Sequence, residues 1–242
     1  MSFGYLYDEI ILSSLGGKNQ QKMKKEYYKM FISMLFPLLI VTIMWVVKIV
    51  EYYTHADFSE FGILPRAKAG LMGIITAPFI HADFDHLIAN SIPMFVTLSI
   101  VFYFYREVSY SVFFLVWIFT DVWVWSFARD DTFHIGASGL VYGFVSFLFF
   151  SGMIRRNARL MAISLLIIFL YGGFFWGVFP DFFPKRNISW ESHLMGGIAG
   201  FILALYFRKK GQQREVYNWD DEDDDNGNID YLMDDDEYQG KK

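Results

Sequence analysis

The chain has 242 residues, 54% of them hydrophobic and 20% aromatic, with a mean hydropathy of +0.28. A water-soluble domain of that length has no need of 27 Phe, 15 Tyr and 7 Trp, whereas lipid-facing and interfacial surfaces use them. Cysteine is absent, which excludes disulfides and thiolate metal sites. The net charge of −5 hides a segregation, since residues 1–210 hold 18 Lys/Arg against 14 Asp/Glu and residues 211–242 hold 3 against 12.

Residues 1–30 are polar and rich in Lys and Tyr, without the apolar core of a signal peptide, and are expected to form a cytoplasmic N-terminal segment. A membrane helix needs about 20 apolar residues. Six segments fit or nearly fit, at roughly 31–50, 86–105, 110–127, 136–153, 159–179 and 191–207, making 31–210 the membrane domain. The loop from Glu51 to Ile80 holds Gly62, Pro65, Gly70, Gly73 and Pro78 together with an amphipathic stretch, Ala69–Ile75. It is too long for a plain connector and predicts a partly helical element lying in the membrane interface. Gly172, Gly173 and Gly177 predict a fifth span able to tilt. Residues 211–242, with an acidic run from Asp220 to Asp225, predict a disordered cytoplasmic tail.

Lys and Arg set the orientation. Twelve flank one set of span ends (Lys18, Lys22, Lys24, Lys25, Lys29, Arg106, Arg155, Arg156, Arg159, Arg208, Lys209 and Lys210), against five in the opposite loops. Both termini are therefore expected in the cytoplasm. Spans two, four and six then run inward from the outer face, and each opens with a polar cluster. The clusters are His81-x4-His86-x3-Asn90, Gly136-Ala137-Ser138-Gly139 and His193-x2-Gly196-x3-Gly200. Three clusters at one leaflet imply one site, with Ser138 expected roughly 5–10 Å below a helix mouth near Phe133–Gly136.

Polar groups inside a bilayer are costly and point to function. A serine, histidines and an asparagine supply a nucleophile, a general base and oxyanion donors. His86 and Asn90 stand four apart and share a helix face, whereas His81 belongs at the helix entrance as a structural or loop-ordering group. Gly196 and Gly200 line one face with His193, and Gly136, Gly139 and Gly143 offer the matching seam. Close packing there brings the His193 imidazole to Ser138 Oγ. Tyr142, one turn below Ser138, is placed to hold that imidazole. Metal chemistry is not expected, because the His-Glu-x-x-His pattern is absent and His81 and His86 do not align on one helix. Asp121 alone lies well inside a span, among Trp117, Trp123 and Trp125, which argues against a paired-aspartate protease and for an interfacial or hydrogen-bonded structural acid.

In these three motifs, their order and their leaflet, residues 60–207 resemble the rhomboid family of intramembrane serine proteases. The resemblance implies an all-α, six-transmembrane-helix bundle with an interfacial first loop. It also implies a Ser138–His193 dyad without an acid and an oxyanion hole of His86, Asn90 and the Ser138 N–H. Tyr142 matches a family tyrosine that stacks on the catalytic histidine; Gly136, Gly139, Gly196, Gly200 and His81 fall in supporting positions. The chain departs from many members in lacking a Trp-Arg pair in the first loop, where Pro65-Arg66 is the nearest basic feature. The implied partners are the lipid bilayer and membrane-protein substrates with helix-destabilised transmembrane segments, with no nucleic acid and no cofactor. The expected location is a bacterial inner (plasma) membrane. The competing expectation is a catalytically silent rhomboid-like membrane chaperone or adaptor.

Overall fold

In the computed structural model, which describes residues 17–170 and 189–210, every regular element is helical, and the β contact among the described residues is a lone bridge between Ile63 and His134. Helix α1 runs from Gly17 to Thr54, 38 residues or about 57 Å at 1.5 Å per residue, against a hydrocarbon core of about 30 Å. It starts well before the apolar run at residue 31. Gln20 through Glu26 are almost all strong helix formers, and they extend the same helix beyond the greasy stretch.

The first loop then turns in short pieces: 3-10 turns at Ser59–Phe61 and Lys68–Leu71, a single α-turn α2 at Gly73–Thr76, and a 3-10 turn at Ala77–Phe79. Phe61, Leu71, Met72 and Ile75 are exposed on it, as an element resting in the membrane interface requires. Its anchoring comes from residues other than a Trp-Arg pair. Arg66 takes a left-handed backbone (φ 58), its N–H donates to the Trp125 carbonyl (2.8 Å), and its Nη1 donates to the Ala128 carbonyl (2.6 Å). Trp125 and Trp117 return indole N–H bonds to the carbonyls of Ala67 (3.0 Å) and Ile74 (2.9 Å). Arg66 also pairs with Asp130 at 2.8 Å and holds that exposed carboxyl below the usual carboxylate range.

Helices α3 (Phe84–Phe104), α4 (Ser109–Phe127), α5 (Ser138–Ile154), α6 (Ala158–Leu170) and α7 (Trp190–Tyr206) follow. Three described helices, within Asn19–Thr54, Phe84–Phe104 and Ser109–Phe127, are long and apolar enough to cross a bilayer, and Ser138–Ile154 and Leu160–Phe169 are shorter apolar helices. The glycines at 172, 173 and 177, residues 1–16 and the acidic tail lie outside the described residues.

Helix α5 is the core. Leu140, Val141, Phe144, Phe147 and Leu148 are buried along it, while α1 turns Leu35, Leu38, Leu39 and Val46 outward. Helices α1 and α3 are antiparallel, tied by the Tyr103 hydroxyl donating to Glu26 (2.7 Å) at one end and Trp45 Nε1 donating to Ser91 Oγ (3.0 Å) near the other. Helices α5 and α7 are parallel: Ser138 meets His193 at their starts, and Arg155 Nη2 donates to the Phe207 carbonyl (2.7 Å) at their ends.

Candidate active site

Helix α5 begins at Ser138, two residues later than its apolar run, because Gly136 takes φ +104, a left-handed conformation that cannot continue a right-handed helix. A side chain is excluded there as well: a Cβ on Gly136 would stand 2.7 Å from Cε1 and 2.8 Å from Nε2 of His86. Ser138 is therefore the first residue of its helix, and the helix mouth expected from sequence near Phe133–Gly136 lies at Ser138 itself. There the backbone N–H groups of the opening turn have no intrahelical acceptor and the helix dipole presents its positive end.

His193 comes from the first turn of α7, whose start is capped by Ser189 Oγ accepting from the Ser192 N–H (3.4 Å). The two helices touch backbone to backbone. A Cβ on Gly196 would overlap the Gly139 carbonyl oxygen, and one on Gly200 would overlap that of Gly143. Gly139 and Gly143 supply the α5 side of this seam, while Gly136 faces His86 instead. The result is a 2.8 Å contact between His193 Nε2 and Ser138 Oγ. Tyr142 lies flat on the imidazole, with ring centroids 4.1 Å apart and planes 7° from parallel. His193 is buried (7% exposed) and Ser138 half-buried, so the pair is shielded but reachable.

His86 and Asn90 do share a face of α3. The Asp83 side chain caps that helix by accepting from the His86 N–H (2.6 Å), fixing the first turn. Asn90 Nδ2 donates to the His86 carbonyl (2.8 Å), which leaves the second amide hydrogen uncommitted by that bond. His81 stands just ahead of the helix, 1% exposed, with its ring edge-on to His86 at 5.0 Å. Burial, reinforced by the neighbouring His86, depresses its pKa to about 3, so the ring is neutral at ordinary pH.

What orders this entrance is Lys48, whose Nζ donates to the carbonyls of His81 (2.8 Å) and Ala82 (2.9 Å) and pairs with Glu51 (2.6 Å). An ionised side chain in an apolar run was the available signal for it. Asp121 is buried (5% exposed) in the bundle, with a side-chain hydrogen bond to Trp117. Glu191 turns away from His193 and pairs with Arg129 Nε at 3.4 Å. A fourth histidine, His134, is buried beside the site on two side-chain hydrogen bonds. No sequence pattern singled it out.

The apolar helices and this buried polar site define an integral membrane protein that apposes a serine and a histidine where two glycine-packed helices begin. Residues 68–210 match the Rhomboid domain family model, and the chain belongs to the rhomboid family. An uncharacterized protein of Mycobacterium tuberculosis is 32% identical over 174 residues, which are 68% of this chain and 70% of that protein. A Bacillus subtilis protein named "Putative rhomboid protease" is 28% identical over 145 residues, 58% of this chain and 69% of its own length. A rhomboid-named protein of Acanthamoeba polyphaga mimivirus is 23% identical over 147 residues, 59% of this chain and 78% of that one.

Proposed function

We propose that this chain is an intramembrane serine endopeptidase that cleaves transmembrane segments of membrane proteins near the outer leaflet. In this reading it spans the membrane six times with both termini in the cytoplasm. The observation that carries the proposal is the 2.8 Å contact of Ser138 Oγ with His193 Nε2 at the N-terminus of α5. In the proposed reaction Ser138 Oγ attacks the scissile carbonyl of a locally unwound segment while Nε2 takes its proton. The resulting oxyanion is held by the Ser138 N–H, His86 and Asn90, with the positive ends of α5 and α7 directed at the same place. Collapse of the intermediate passes the Nε2 proton to the leaving amine, and water then hydrolyses the acyl-enzyme by the reverse proton path. Tyr142 stacked on the imidazole favours the imidazolium that forms between these steps, through the negative face of its ring.

The silent chaperone or adaptor has no observation of its own in its favour, since such a role needs no hydrogen-bonded serine and histidine. The test is labelling of the purified protein by a fluorophosphonate and cleavage of a transmembrane peptide in liposomes. Ser138→Ala and His193→Ala each abolish cleavage in folded protein, and Ser138→Ala abolishes labelling. Near wild-type turnover in Ser138→Ala would end the protease reading.

A further inference from the structure

A second Ser–His pair lies four residues N-terminal to the first on both segments, with the roles of the two segments exchanged. His134 stands four residues before Ser138, and Ser189 stands four before His193. His134 Nδ1 meets Ser189 Oγ at 2.6 Å across the same separation of 55 residues as the Ser138–His193 contact. His134 is 2% exposed, and every polar group on it is engaged. Its backbone exchanges two hydrogen bonds with Ile63 (2.9 and 2.8 Å), and its Nε2 meets the Arg129 carbonyl at 2.9 Å. A carbonyl only accepts, so Nε2 carries a hydrogen, and Nδ1 shares its hydrogen bond with the Ser189 hydroxyl. Ser189 Oγ in turn meets Ser192 Oγ at 2.6 Å and accepts from the Ser192 N–H, which caps α7.

We infer that His134, through Ser189, is a positioning residue that sets the reach of His193 toward Ser138. Of the segments that converge here, one leads directly into Ser138 and the other begins the helix of His193. The His134–Ser189 bond joins them on the N-terminal side of the pair, and the glycine seam joins them on the C-terminal side. With both in place the first turn of α7 has no freedom to lift away from α5. Without the His134–Ser189 bond the turn keeps the Glu191–Arg129 pair, the Tyr142 stack and the Ser138–His193 contact, and the last of these has to break and re-form as the proton moves. The inference rests on the proposed protease reading, and the experiment separates the two.

The primary variant is Ser189→Gly, because glycine keeps most of the capping strength while removing the hydroxymethyl group that bonds His134. Turnover number falls by roughly 10–10²-fold with KM little changed, since a misplacement well below contact range is enough for such a loss. Fluorophosphonate acylation of Ser138 slows in parallel, and Ser189→Thr, which restores the hydroxyl, restores both rates. His134→Asn, with a polar atom near the place of Nδ1, falls between the two. Ser146→Ala is the control. It deletes a hydrogen bond between the same two helices deeper in the bundle (Ser146 Oγ to the Gly197 carbonyl, 2.6 Å) and leaves turnover intact even where it lowers the unfolding temperature. Wild-type turnover in folded Ser189→Gly and His134→Asn, with wild-type protein active and labelled at Ser138, overturns the positioning role alone. An equal loss in Ser146→Ala overturns it too. Wild-type protein that neither cleaves nor labels overturns the protease reading instead.

Discussion

Adjacent glycines on α7 make a matched pair for testing whether helix contact sets the site. At Gly196 a Cβ would overlap the carbonyl oxygen of Gly139 and come within 3.2 Å of the Gly143 nitrogen; at Gly197 it would meet nothing within 4 Å among the described residues. Backbone cannot rotate aside as a side chain can, so Gly196→Ala must part α5 and α7 to seat its methyl group. Overpacking of this kind costs about 1–3 kcal/mol. The same parting opens the Ser138–His193 contact from 2.8 Å, and a displacement near 1 Å at reacting atoms costs on the order of 10²-fold in rate. Gly197→Ala adds the same methyl group on the same helix where no described residue stands in its way. It therefore keeps turnover and holds or slightly raises stability, as replacing a helical glycine does by up to about 1 kcal/mol. The assay is cleavage of a transmembrane peptide in liposomes, read beside thermal unfolding in the same detergent preparation. Should Gly196→Ala match wild type in both, or Gly197→Ala lose as much, the seam does not govern the pair and the geometric reasoning fails.

Asn90→Ala and His86→Ala are each expected to lower turnover by roughly 10–10³-fold while a serine-directed probe still reacts; unchanged kinetics in both would place the oxyanion elsewhere. Lys48→Met strands Glu51 and two carbonyls at the loop entrance. Breaking a buried pair costs roughly 3–5 kcal/mol, and the lower end applies because these side chains are 10% and 12% exposed. An unmoved unfolding temperature would refute that anchoring. His81 has a pKa of about 3 in the folded chain against 6.5 unfolded, so the unfolded state takes the proton first as pH drops. Its contribution is complete above pH 6.5 and is lost toward pH 3, at no more than about 1.4 kcal/mol per pH unit. His81→Gln is expected to flatten the acid slope of stability, and equal slopes in variant and wild type would clear His81 of the effect.

The helices were legible because apolar runs are long and local, and because a bilayer leaves the backbone little choice but to satisfy itself within one segment. Their ends were less so. Helix α1 begins at Gly17 because the residues ahead of its apolar run are themselves helix formers, and hydropathy is blind to that. Helix α5 begins at Ser138 because Gly136 takes a left-handed turn, which an apolar count also does not register. That two-residue difference matters for chemistry, since it turns a serine buried in a helix into one standing at a helix's positive end.

Within the site, residues acting through periodicity were readable and residues acting through partners were not. His86 with Asn90, and Gly196 with Gly200, declare themselves by a spacing of four that any helix converts into a shared face. Tyr142 is found the same way, one turn beyond Ser138. His134 has no such spacing to its partners. Its hydrogen bonds reach Arg129 within its own loop and Ser189 across 55 residues, and only the closure of α5 on α7 brings the second of these into range. Lys48 likewise looks like a stray charge near the end of a span until the first loop folds two carbonyls onto it. Both side chains occupy points where separate stretches of chain meet, Lys48 at the entrance to α3 and His134 ahead of α5 and α7. A bundle whose lipid-facing surfaces gain little by burial needs directional bonds at such points, because apolar packing alone does not fix how far one helix slides along another. Along the α5–α7 interface the glycines make the contact within the helices, and ahead of their first turns His134 bonds to Ser189.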